Sequence, residues 1–549
     1  MSVDREGAGP DAAGRVGRRV LLTGGHVYAP RDPFATAMLT HGGTIAWIGD
    51  DDAAHAYADD VDEVVHLRGA LVAPAFVDAH VHLTALGLSL ASVDLSGCRN
   101  ADDLIARVGA AAGGTGVLLG RGWDETRWSD PRLPARDAID AAAGGRPAYL
   151  TRVDEHSALV SSALLDRIPG VAGLDGYDAT GPLRRDAHHA VREAALATVT
   201  PEERRVAQRA ALDLAAGRGI ACVHEMAGPF LSSEADLLDA IALGAQPELP
   251  DVVGYWGELD AAVRARDLGA RGAAGDLCVD GSIGSRTACL RTPYADAPDT
   301  AGADYLGVDE VARHVVELTM AGLQAGFHVI GDRAADIVVD GLLAAAEIVG
   351  AEAMRAARHR LEHVEMLDDR HVAVLADLAV VASVQPAFDA EWGGDHGMYA
   401  ARLGRARART LNPFAAMSAA GVCLALGSDA PVTPLDPWGA VRAAAFHRTA
   451  EHSVSARAAF AAHTRGGRRA AGEEAEQPGV LMAGAPATYA VWNAEALAVQ
   501  APDDRIAAWS TDPRSGIPGL PDLGPGIPLP QCARTVVSGA TIHDSGSLG

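Results

Sequence analysis

The chain reads as an α/β protein, a distorted (β/α)8 (TIM) barrel beside a small β-sandwich built from both chain ends. Three observations predict this. Through the middle, apolar strand-like runs alternate with Ala-rich helical stretches, the rhythm of repeated βα units and a parallel sheet. Both ends carry short strands separated by Gly-rich turns. Residues able to ligate a metal recur where the middle runs end, and barrel sites form at that end of the strands.

Residues 1–18 lack an apolar centre followed by a small-residue cleavage site, so they read as a disordered leader rather than a secretory signal. From Arg19, RRVLLTGGHVYAP and ATAMLTHGGTIAWIGD give short strands. Near the other end, GVLMAGAPATYAVWNAEALAV and CARTVVSGATIHD have the same texture, which assigns 19–72 and 478–549 to one sandwich. The barrel is assigned to 73–464. Its ten strand-like runs are VAPAFVDAHVH, GVLLGRGW, AYLTRVDEHSAL, IACVHEM, DVVGYWG, DLCVDGSIG, AGFHVIGD, HRLEHVEM, VVASVQP and VCLALGSDAP. A barrel needs eight. The second and third runs fall in a turn-rich stretch, about 85–200, read as an insertion; a nine- or ten-stranded open sheet is the alternative. Asp332 reads as the N-cap of a long Ala-rich helix. The polar RGGRRAAGEEAEQPG has no periodicity, so 465–477 is expected to be a surface loop.

Composition narrows the function. With 72 acidic against 46 basic residues the net charge is -26, which repels nucleic acid and anionic lipid surfaces alike. No run reaches the ~18–20 uninterrupted apolar residues of a membrane helix. The 6 cysteines have no paired spacing, and a reducing cytoplasm is expected. Every basic residue is arginine. Chemistry that needs a lysine amine, whether a Schiff base or a carboxylated metal ligand, is therefore excluded. A homo-oligomer stays open.

In VAPAFVDAHVHLT, His80 and His82 stand two apart, on one face of a strand, where they can converge on one ion. His328, His363 and Asp429 end three later runs. Taken singly, each is better read as a core histidine or a helix cap; at several strand ends together they point to a metal centre. Neutral imidazoles with a carboxylate match zinc or a related divalent ion, whose bound water has a pKa near ~7 and supplies hydroxide at neutral pH. Asp429 can bind through one oxygen and take the water's proton with the other.

FVDAHVHL, GWDETRW, VDGSIGSRTACL, HVIGDRAAD, RHRLEHVEM, SVQPAF and GSDAPVTPLDPW, in that order between about Val20 and Trp492, resemble the amidohydrolase superfamily, specifically its YtcJ-like branch, which includes N-substituted formamide deformylase. The resemblance implies that His80, His82 and Asp429 serve one metal position and His328 and His363 a second, with Asp429 as proton shuttle. It also implies hydrolysis of a carbon–nitrogen bond other than a peptide, such as that of an N-substituted formamide, in a small-molecule amide. The alternatives are a deaminase or cyclic-amide hydrolase acting on a heterocycle, and a non-catalytic binding protein on the same scaffold.

Many relatives bridge two metals with a carboxylated lysine on the fourth strand. Here that run reads GDLCVDG. The expectation is one zinc without a bridge, or a pair bridged by the Asp276 carboxylate, with the Cys278 thiolate as a third choice. For the substrate, Trp123 and His156 occur in the family's substrate-facing segment and Gln385 ends the seventh strand. Arg286 offers a planar fork to a carboxylate or carbonyl, or else holds its own loop.

Overall fold

A computed structural model describes residues 17–473, 479–500, 509–510 and 518–548; residues 1–16 of the expected leader and 474–477 of the expected loop lie outside these.

Seven of the ten runs predicted as strands supply strands of two parallel sheets, and the remaining strand of these sheets, Gly272–Ala273, precedes the run DLCVDGSIG. One sheet has the order β3, β2, β1, formed by β1 (Phe76–Val81), β2 (Ile220–Ala227) and β3 (Asp251–Trp256). The other runs in chain order through β4 (Gly272–Ala273), β5 (Gln324–Val329), β6 (Arg360–His363), β7 (Val381–Val384) and β8 (Cys423–Leu426). Backbone hydrogen bonds cross both seams. Arg271 N–H donates to Gly254 O (2.8 Å) between β3 and β4, and Asp429 N–H donates to His80 O (2.8 Å) between the end of β8 and β1. All six residues of β1, β5 and all four of β6 and β7 are buried. Burial on both faces is why these runs lack the apolar–polar alternation of a half-exposed strand. Helices such as Pro201–Gly217, Val308–Ala321 and Asp332–Val349 pack outside them. The last begins at Asp332 with Gly331 as N-cap, and Asp332 accepts from the Arg291 N–H (2.8 Å) instead of capping.

The fourth strand does not fall on DLCVDGSIG, residues 276–284, where the sequence predicts it, but just before it. It ends at Ala273, because Gly275 adopts φ +88° and turns the chain. Asp276–Val279 then run beside β5, with the His328 N–H donating to Leu277 O (3.0 Å) and the Val279 N–H to His328 O (3.1 Å).

The second and third runs lie in a separate five-stranded sheet, ordered Leu183–Arg184, Ser157–Val160, Ala148–Arg152, Leu118–Trp123, Val93–Asp94. Strands from the two chain ends pair directly: Tyr489–Asn493 lies antiparallel to both Leu71–Pro74 and Gln531–Val537. Residues of this sheet and of the neighbouring N-terminal sheet, among them Leu22, Met38, Val72, Tyr489 and Val536, share one buried cluster.

The expected surface loop is helical over Ala462–Gly466 and Gly467–Ala470, with Gly466, Gly467 and Ala470 buried. A Cβ on Gly466 would lie 2.3 Å from Leu424 O, and one on Gly467 2.5 Å from Val77 Cγ1. The glycines that read as a turn instead let a helix approach β8 and β1 closely. Arg468, which reads as a solvated loop charge, pairs with Glu473 (3.2 Å) and Asp251 (3.5 Å).

Candidate metal centre

β1 carries His80 near its end and His82 follows it, β6 ends in His363, and Asp429 follows β8. The turn at Gly275 brings Asp276 to the same point. The Asp276 Oδ1 lies 3.4 Å from His80 Nε2 and 3.8 Å from His363 Nε2, and its Oδ2 lies 3.1 Å from His82 Nε2. Asp429 Oδ1 lies 3.4 Å from His80 Nε2 and 3.1 Å from His82 Nε2. His363 (φ +68°) and Asp429 (φ +55°) hold the left-handed conformation, which non-glycine residues adopt at a cost of ~1–3 kcal/mol and which clusters at functional sites.

Each of the three imidazoles is oriented from behind. His80 Nδ1 meets Glu362 Oε2 at 2.9 Å, His82 Nδ1 meets Met226 O at 3.0 Å and His363 Nδ1 meets Gln385 Oε1 at 2.8 Å. All three partners accept, so each Nδ1 carries the proton and each Nε2 presents its lone pair to the centre. His80 Nε2, Asp276 Oδ1 and Asp429 Oδ1 are buried without a hydrogen-bond partner, which is the condition a bound cation relieves. The electrostatics agree. Burial disfavours a charge on His82, yet the Asp276 and Asp429 carboxylates raise it to about 10; burial alone would raise Asp429, but His80 and His82 hold it below its usual range. Two carboxylates are stable here only with positive charge between them, and the donor set suits zinc or a similar divalent ion.

Two groups of three have ligating atoms mutually within 4.8 Å: His80, His363 and Asp429, and His80, His82 and Asp276. His328 belongs to neither. Its ring lies 4.4 Å from that of His363 and 5.3 Å from that of His156, and its Nδ1 is 3.7 Å from Asp280. Cys278 belongs to neither group, and its thiol donates to Asp276 O (3.5 Å).

The sequence did not single out Glu362 or Arg360. Both are fully buried, and Arg360 Nε donates to Glu362 Oε1 (2.5 Å) while its NH2 donates to Ala79 O (2.7 Å). Tyr255 stacks below the guanidinium at 4.4 Å. The signal was present in HRLEH, where an i, i+2 charged pair places Arg360 and Glu362 on one face of the strand that ends in His363. Arg360 outweighs burial and lowers Glu362 to about 2, keeping it an acceptor for His80. Glu362→Gln is expected to weaken zinc binding about 10–100-fold, measured by competition with a chromogenic chelator. Unchanged affinity would make the contact incidental.

The substrate residues expected from the sequence divide. His156 lines a cavity of about 970 Å³ together with His82, Asp276, His328, His363 and Asp429. Burial, with His328 nearby, lowers its pKa to about 3, so it is neutral. Trp123 does not reach the cavity. It is buried in the insertion's own core and donates from Nε1 to Leu150 O (2.8 Å). Gly122, at φ +86°, breaks the strand alternation that would have put Trp123 on the face of Arg121. Arg286 is likewise outside, paired with Asp296 at 2.7 Å, and holds its loop. Gln385 orients His363 and is not part of the cavity wall.

The profile described as the amidohydrolase family matches residues 63–543. Protein LONG AFTER FAR-RED 3 of Arabidopsis thaliana is 28% identical over 458 residues, 77% of each chain. N-substituted formamide deformylase of Arthrobacter pascens is 24% identical over 446 residues, 75% of this chain and 81% of its own. Among solved structures, an uncharacterized metal-dependent hydrolase from Pyrococcus furiosus superposes with TM-score 0.66 at 27% identity, covering 86% of this chain and 98% of that one.

Proposed function

Because this chain belongs to the amidohydrolase family, we propose that it is a metal-dependent hydrolase of a carbon–nitrogen bond in a non-peptide amide, with N-substituted formamides the first substrates to test. The two parallel sheets are read as one distorted (β/α)8 barrel, and the terminal strands as a β-sandwich beside it. One observation carries the reading: His80, His82, His363, Asp276 and Asp429 converge beside a large cavity, with His80 Nε2, Asp276 Oδ1 and Asp429 Oδ1 buried and without hydrogen-bond partners.

His80, His82, His363, Asp276 and Asp429 would hold a single divalent ion, zinc by donor chemistry. Asp276 takes the place of the lysine this chain lacks, and a second ion is not required to explain the cluster. When bound, the ion supplies Lewis acidity and lowers the pKa of water toward ~7. The protein's own residues do the rest. Asp429 keeps Oδ1 against the two imidazoles and lines the cavity, so its carboxylate accepts the proton of the attacking water and returns it to the departing amine. His156, neutral, donates a hydrogen bond to the amide carbonyl. Supporting the substrate class is the similarity to N-substituted formamide deformylase. A turnover panel of N-substituted formamides, hydantoins, purines and pyrimidines tests it. Cleavage confined to the formamides is expected; turnover confined to heterocycles would replace the reading with a deaminase or cyclic-amide hydrolase.

A further inference from the structure

The insertion sheet presents one face to the cavity. Leu119 and Arg121 on one strand are paired with Tyr149 and Thr151 on the next, and all four line the cavity wall, while Leu118 and Leu150 point into the insertion's core. Arg192 also lines the cavity, but its NH2 is taken by the Glu155 backbone oxygen (2.8 Å) and Glu155 Oε2 (3.2 Å), and its Nε donates to the Tyr149 hydroxyl (3.3 Å). Glu155 is taken in turn, since it also accepts from Thr151 (2.7 Å).

Arg121 differs. Its only side-chain hydrogen bond among the described residues runs from Nε to Ser89 O (3.3 Å), and no carboxylate among them lies within ion-pair distance. Both terminal nitrogens of the guanidinium are left over, a planar fork that fits a carboxylate through two parallel bonds. Of the remaining acids on the wall, Asp154 is paired with Arg152 (2.8 Å), Glu225 accepts from the Leu83 N–H (2.6 Å) and Glu258 from Trp256 Nε1 (2.6 Å), while Asp186 and Glu193 stand at exposed positions. A cavity of about 970 Å³ has room for far more than a formamide group.

We propose that Arg121 anchors a carboxylate of the substrate, so that the natural substrates are amides carrying a free acid group away from the scissile bond. This rests on the amide-hydrolase reading and narrows it. The role expected of Arg286 passes to a residue on the insertion sheet.

Binding separates the two claims, because it is read without turnover. In calorimetric titrations of the metal-loaded Asp429→Asn protein, 4-carbamoylbutanoate is compared with glutaramide, which has the same length and no charge. The carboxylate is expected to bind roughly 10-fold tighter or more. Adding Arg121→Gln is expected to abolish that preference, and Arg121→Lys, which keeps the charge without the fork, to retain part of it. Equal affinity for the two probes overturns the proposal. So does a preference that survives Arg121→Gln, since the carboxylate would then be bound elsewhere. If no amide is ever turned over but the Arg121-dependent preference is found, the hydrolase reading fails and the anion site stands.

Discussion

Asp429→Asn is expected to lower amide turnover by about 10³-fold or more while leaving the protein folded. Asn has the same shape but accepts no proton at neutral pH, and it removes one of the two negative charges facing His80 and His82. The backbone argument makes the experiment clean. Asp429 sits at φ +55°, where Asn is among the residues that tolerate the left-handed conformation. Asp429→Ala would confound lost chemistry with strain. A thermal unfolding curve close to the wild type, together with the loss in kcat, is the expected pair of results. Turnover within tenfold of the wild type would remove Asp429 from the proton-transfer step.

Stripping divalent ions with a chelator is expected to reduce turnover below detection, and added zinc to restore it. The stripped protein should also melt at a lower temperature, because an ion that binds only the folded state stabilises it by mass action. The structure gives the reason for both effects. Without a cation, His80 Nε2, Asp276 Oδ1 and Asp429 Oδ1 are buried and unpartnered, and the carboxylates can be balanced only by protonating the imidazoles. Protonation occupies the Nε2 lone pairs that the ion needs, so rebinding is expected to slow as the pH falls.

Much of the site was legible because sequence shows where buried strands end. His80, His82, His363 and Asp429, which the structure brings together, were expected from strand ends, as was His328, which lies outside the cluster; Asp276 was expected only as a bridge in the place where the family resemblance puts a lysine. What sequence pattern does not carry is how each side chain is turned and what already holds it. Trp123 has the parity of Arg121, and a single left-handed glycine reverses its face. Arg286 has the right chemistry for a carboxylate and is already paired with Asp296. Gln385 ends its strand as expected but spends its carbonyl on His363. The same holds for the fold. Gly466 and Gly467 are indistinguishable in sequence from turn glycines, and only the contacts with Leu424 and Val77 show that they permit close helix packing. The buried Arg360 and Glu362 look like surface charges until the strand is seen to be covered on both sides.

The most direct measurement is the metal content of the purified chain by elemental analysis, made alongside that of the His80→Ala, His82→Ala double variant. About one divalent ion per wild-type chain, and none in the variant, is the predicted result. A wild-type chain that binds no ion even after incubation with zinc, or a double variant that keeps a full complement, would contradict the account.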